Sequence, residues 1–142
     1  MIQEQTTEAR APRRVMVSMA HPDDAEFGCA GTIARWAAEG DEIIFVLGTS
    51  GDKGSDDPSM TSEQLIATRE AEQKSAADIL GVSDVIFMRM RDAELVPDLA
   101  MRRDLTRIIR QVRPDVVFCQ DPTARWEGSE YIQHPDHLAM GE

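Results

Sequence analysis

Arg14-Val15-Met16-Val17-Ser18-Met19-Ala20 is a short apolar run that breaks abruptly into the polar turn His21-Pro22-Asp23-Asp24. A run of this length, bounded by turn residues, reads as a buried strand. Working outward, residues 42–47, 84–88 and 115–119 are further runs of the same kind. Between the runs lie stretches with helical marks: residues 32–39 closed by Gly40, 61–80 closed by Gly81, and 98–112 with Pro114 just beyond. Thr61 and Gln64 have capping-box spacing, and Asp98 can cap the third helix. Leu65, Ala76, Ala77 and Leu80 can share one buried stripe of the second. Strands that alternate with helices need crossover connections and so lie parallel. The expected fold class is therefore α/β, a Rossmann-like three-layer sandwich with a mainly parallel sheet and helices on both faces.

In such sheets, sites form at the carboxyl ends of the strands. The unusual residues of this chain fall there: 20–24 after the first strand, 49–52 after the second, Arg91 and Asp92 after the third, and the long loop 120–133 after the fourth.

The chain has 142 residues, one domain's worth, and 15 Lys and Arg against 26 Asp and Glu leave a net charge of −11. That charge repels phosphate backbones and anionic lipid, so nucleic-acid binding and membrane insertion are set aside. Cys29 and Cys119 have neither disulfide-scaffold nor Cys-x-x-Cys spacing, so both are expected to be reduced and packed as small apolar groups, and the compartment to be cytoplasmic. No apolar run approaches a bilayer span. Residues 1–13, polar and without the apolar centre of a secretory signal, are expected to form a flexible tail ahead of a single domain, 14–142. The last residue is only five past His137, inside an expected fourth helix, so the domain reads as truncated at its C-terminus.

All three histidines sit in two similar tetrapeptides, His21-Pro22-Asp23-Asp24 and His134-Pro135-Asp136-His137. The first occupies a strand-to-helix turn. The second opens a helix, where proline at the first position costs no hydrogen bond. His21 with Asp24 could hold one side of a metal and a histidine of the second motif the other, a set that suits zinc with one position left for water. Spacing does not decide between His134 and His137. Asp23 is the candidate base, and the histidine not on the metal is the candidate oxyanion donor, kept protonated and oriented by Asp136.

Ala20-His21-Pro22-Asp23-Asp24-Ala25-Glu26, with Gly28, Gly31 and Thr32 after it and His134-Pro135-Asp136-His137 at the end, resembles the PIG-L (LmbE-like) family of zinc-dependent N-acetylglucosaminyl deacetylases. The resemblance runs from about Arg14 to the last residue and takes in Arg69-Glu70 and Asp92. It implies His21, Asp24 and His137 as metal ligands, Asp23 as base, His134 as oxyanion stabiliser and Asp136 as its partner. It also implies that Arg69 and Asp92 hold the sugar. Some members that act on sugars carry a tyrosine two residues before the histidine equated with His134; Ile132 stands at that place here, with Tyr131 one residue further back. Family members extend well beyond this chain's length.

The implied activity is hydrolysis of an N-acyl group, acetyl above all, from a small-molecule amino sugar or glycoconjugate, with zinc, or iron(II) in the cell, as the metal. Two other readings stand beside it. Two histidines and a carboxylate can hold iron(II) for an oxygenase, although an oxygenase needs no base beside the metal. An incomplete domain could instead bind metal without turnover, and the apolar surface it left bare leaves a homo-oligomer open.

Plainer roles compete for single residues. Asp136 could simply charge a helix start, and Arg69, Glu70 and Asp92 could be solvated. Phe27-Gly28-Cys29-Ala30-Gly31-Thr32 lacks the Gly-x-Gly-x-x-Gly pattern, and its acidic neighbours would repel phosphate, so its glycines are expected to let a helix pack on the strand.

Overall fold

The computed structural model describes residues 10–123, 125–127 and 131–142. Four strands, β1 (Arg14–Met19), β2 (Glu42–Thr49), β3 (Asp84–Met90) and β4 (Val116–Cys119), form one parallel sheet in the order β3-β2-β1-β4. The α/β expectation holds. The chain steps outward from β1 to β3 through α1 (Asp24–Ala38) and α2 (Ser62–Leu80), then returns through α3 (Leu99–Val112) to place β4 on the far side of β1.

Strand alternation divides the core. Val15, Val17, Met19, Ile43, Phe45 and Leu47 pack with Ala25, Cys29 and Ile33 of α1 and Ala77 of α2. Met16, Ile44 and Val46 turn the other way, to Met101 and Val112 of α3 and to Ala139 and Met140 of α4 (Pro135–Gly141). Strands buried on both faces read as continuous apolar runs, which is why they were visible in the sequence.

Helix α1 begins at Asp24, eight residues before the expected start at residue 32. Gly28 and Gly31 are inside it and exposed, and a Cβ at either would meet nothing within 4 Å. They are not close-packing glycines, so that expectation is corrected. Helix α2 follows expectation at both ends: Thr61 and Gln64 make a complete capping box, and Gly81 closes the helix with φ 77. Its buried stripe differs. Leu65 and Ala77 are buried as expected, but between them lie Glu70 and Gln73, polar and buried, where the helix passes the strand ends.

The loop after β4 contains a small antiparallel pair, β5 (Trp126–Glu127) with β6 (Tyr131–Ile132), which short polar-flanked segments did not signal. Of the expected tail, residues 1–9 lie outside the described ones. Its last four include two held residues: Arg10 and Arg13 both donate to the buried carboxylate of Asp41. Cys29 is buried as expected, whereas Cys119 is exposed, because β4 is an edge strand whose alternate side chains are uncovered. Among the described residues no helix is long and apolar enough to cross a membrane.

Candidate metal centre

The strand order reverses between β1 and β4, and a crevice opens at their carboxyl ends where such a reversal occurs. β1 delivers His21 to that crevice, β4 delivers Gln120, and α4 stands over it with His134 as its N-cap and Pro135 at its first position. All three histidines meet there, with ring centroids 4.8 to 5.4 Å apart.

Three donor groups converge. Nδ1 of His21 lies 3.3 Å from Nε2 of His137 and 3.4 Å from Oδ2 of Asp24, and Nε2 of His137 lies 3.2 Å from Oδ1 of Asp24. Tetrahedral zinc ligands at bond lengths of 2.0–2.2 Å stand roughly 3.3–3.5 Å from one another. Each pair is therefore close to the spacing of two ligands on one ion, with Asp24 offering Oδ2 to His21 and Oδ1 to His137, so the donor set is of the kind that holds zinc. Oδ2 of Asp24 also accepts from the His21 backbone N–H at 2.8 Å and from Nε2 of Gln120 at 3.0 Å, which leaves Oδ1 as the freer oxygen.

His21 uses its other ring nitrogen differently. Nε2 is 3.1 Å from Oδ2 of Asp136 and 3.1 Å from Oδ1 of Asp92. Both are acceptors, so Nε2 carries a proton, and Nδ1 is the nitrogen that neutral His21 would offer to a metal, the arrangement that commonly orients a metal-bound histidine. His21, Asp92 and Asp136 are themselves close enough to be considered a cation site. Their oxygens are already used, however. Asp136, 1% exposed, accepts from the backbone of Ala93 at 2.7 Å and of Leu95 at 3.1 Å, and Asp92 accepts from the backbone of Lys53 at 3.1 Å.

The hydrogen bonds of the Asp136 carboxylate thus go to His21 and to two backbone amides. What His134 receives from Asp136 is its backbone N–H, 3.2 Å from Nδ1. The hydrogen bond between Asp136 and His134 thus runs through the backbone, and an acceptor Nδ1 leaves Nε2 as the protonated nitrogen.

The electrostatics follow the same partition. Burial would raise the Asp24 carboxyl, but hydrogen bonds with His137 and His21 hold it well below the usual carboxylate range. Burial would lower His21, but Asp24, Asp92 and Asp136 outweigh it and raise the imidazole. His134 is pushed below its ordinary value by burial and by His21, so it is neutral near pH 7. Asp23 is raised by burial, with Arg69 opposing in part, which suits a proton acceptor.

Asp23 is the N-cap of α1 in the left-handed region, with φ 75. Arg69 donates to its Oδ2 at 3.1 Å and to the Pro22 carbonyl at 3.0 Å. Arg69 is therefore a clamp on the candidate base, and Asp92 a neighbour of His21; the structure brings both to the crevice. Sequence reasoning missed Gln120 and Gln73. Gln120 is the first residue after β4, so position alone could have flagged it, whereas Gln73, one helical turn after Arg69 on a charged helix, carried no such signal. A cleft of about 430 Å³ opens beside Asp24 and His137, lined also by Phe27, Gln120, Tyr131 and Gln133.

The PIG-L family profile, GlcNAc-PI de-N-acetylase, matches residues 16–142. The chain is 33% identical over 129 residues to a diacetylchitobiose deacetylase of Thermococcus kodakarensis, covering 91% of this chain and 46% of that one. It is 33% identical over 157 residues to a 1D-myo-inositol 2-acetamido-2-deoxy-alpha-D-glucopyranoside deacetylase of Actinosynnema mirum, covering 93% and 53%. The structure of an N,N'-diacetylchitobiose deacetylase from Pyrococcus horikoshii superposes with a TM-score of 0.83 at 38% identity, over 91% of this chain and 46% of that one. The chain spans about half the length of these relatives.

Proposed function

This chain belongs to the PIG-L family, and from that membership we propose that it acts as a metal-dependent hydrolase that removes an N-acetyl group from an amino sugar or glycoconjugate. The observation that carries the proposal is the convergence of His21, Asp24 and His137 at 3.2 to 3.4 Å with Asp23 next in sequence. Those three residues would hold the ion. Zinc in that place would polarise the amide carbonyl and make a water acidic enough to give up a proton near pH 7.

The remaining steps belong to the protein. Asp23 takes the proton of the attacking water; its raised pKa and its clamp by Arg69 fit that role. The Nε2–H of neutral His134 donates to the oxygen that gains charge as the amide carbon becomes tetrahedral. Asp23 then returns the proton to the amine as the C–N bond breaks, and acetate leaves. Arg69 and Asp92 border the sugar's place. Relatives that deacetylate diacetylchitobiose and a glucosaminyl inositol support an N-acetylglucosamine-containing substrate.

The test is zinc content per chain together with acetate release from N,N'-diacetylchitobiose. Asp23→Ala is expected to keep the ion and lose turnover by about 10²- to 10⁴-fold. His137→Ala is expected to lose the ion itself. Near-normal turnover in Asp23→Ala removes that residue from the base role.

A further inference from the structure

Asp23 is a non-glycine residue with φ 75, a conformation that persists only where its surroundings over-determine it. One polar side chain provides a restraint of its own. Gln73 of α2, 3% exposed, accepts the backbone N–H of Asp23 on Oε1 at 2.8 Å and donates through Nε2 to Oε1 of Glu26 at 2.7 Å. The orientation of the amide is forced. A backbone N–H can be accepted only by the oxygen, so the nitrogen must face the other way, and a carboxylate is there to receive it. The second oxygen of Glu26 is buried without a hydrogen-bond partner, so Gln73 is what holds that side chain.

We propose that Gln73, supported by Glu26, is a positioning residue that locks the backbone of Asp23 in the left-handed turn and thereby aims its carboxylate. The proposal rests on the reading of Asp23 as the base. Successive carboxylates take different partners at that turn: Asp24 meets His21, His137 and Gln120, and Asp23 meets Arg69. Arg69, four residues before Gln73 on α2, holds the side chain and the preceding carbonyl, and Gln73 holds the amide. Without Gln73 the amide is left unpaired and the turn relaxes toward ordinary backbone. A base displaced by about an ångström loses on the order of 10²-fold in rate.

The test is a swap. In Gln73→Leu both bonds are lost. In Gln73→Glu the new carboxylate can still accept from the Asp23 amide but opposes Glu26. In Gln73→Glu with Glu26→Gln both bonds are restored: the Asp23 amide still donates to residue 73, and only the bond between residues 73 and 26 reverses its direction of donation. Two readouts are taken on the full chain: hydrogen exchange of the Asp23 amide in the metal-free protein, and zinc content with kcat on N,N'-diacetylchitobiose for the zinc-loaded one. The expected result is exchange faster by tenfold or more and kcat lower by tenfold or more in the single variants, at unchanged zinc content and KM, with both recovered in the swap. Unchanged exchange in Gln73→Leu overturns the proposal. So does faster exchange with unchanged kcat while Asp23→Ala is inactive. Full turnover in Asp23→Ala instead removes the base reading, and the proposal with it.

Discussion

Asp136 and His21 are 115 residues apart in the chain, yet the carboxylate of the first lies 3.1 Å from Nε2 of the second, and that oxygen also receives the backbone of Ala93. The aspartate of the second tetrapeptide therefore serves the histidine of the first. Asp136→Asn is expected to weaken zinc affinity by about 10- to 100-fold, the usual penalty for losing a partner of a ligand histidine. Competition with a chelator of known affinity measures it, with circular dichroism to check the fold. Unchanged affinity would mean that Asp136 acts only on α4.

Gly51 has φ 67, and a Cβ there would collide with the guanidinium of Arg69, which donates to the Gly51 carbonyl at 3.4 Å. The colliding group is the end of a flexible side chain, so it is expected to swing away from Asp23 rather than disrupt the strand. Gly51→Ala should cost about 1–2 kcal/mol for the backbone and lower kcat by tenfold or more. Urea melts and steady-state kinetics separate the two. A full loss of stability with normal kcat contradicts the clamp.

Asp41 gathers Arg10 and Arg13, whose hydrogen bonds outweigh burial and hold its carboxyl well below the usual range. A folded-state value below the unfolded one means stability that is fully present above about pH 4 and is lost as pH falls through the folded value. Asp41→Asn is expected to lower the Tm by several degrees at pH 7 and to flatten the loss of stability below pH 4. Thermal melts from pH 2 to 7 decide it. Parallel curves for the two proteins would exclude Asp41 as a source of the acid sensitivity.

The two cysteines should separate by reactivity. Burial, with Glu26 adding to it, pushes the Cys29 thiol up to about 11, whereas Cys119 is exposed. One thiol per chain is expected to react with a disulfide reagent at pH 8 and the second only in denaturant. Labelling of Cys29 in the native protein, read by mass spectrometry, would contradict its packing against the sheet.

The α/β fold was legible because the central strands β1 and β2 are buried on both faces and the edge strands β3 and β4 are still apolar runs bounded by turn residues. The start of α1 was not. Glycines at 28 and 31 argue against a helix by propensity, yet Ala25, Cys29 and Ile33 repeat at helical spacing and their burial decides. The site was legible in its residue types, since paired His-Pro-Asp motifs are scarce by chance. Its wiring was not, because which ring nitrogen meets which carboxylate depends on how α4 lies over β1. Nor could Gln73 be singled out: a glutamine on a charged helix looks solvated until the neighbouring helix is in place.

The seven-residue α4 carries one candidate ligand, His137, and the other two, His21 and Asp24, stand at the far end of the sequence. An ion shared between them would act as a reversible cross-link closing a loop of over a hundred residues, so occupancy and the docking of the last helix are thermodynamically linked. Anything that pulls α4 from the sheet loosens the ion by the same factor with which the ion resists that pull. Detachment of α4 and leakage of such an ion would be one event, observed in two ways.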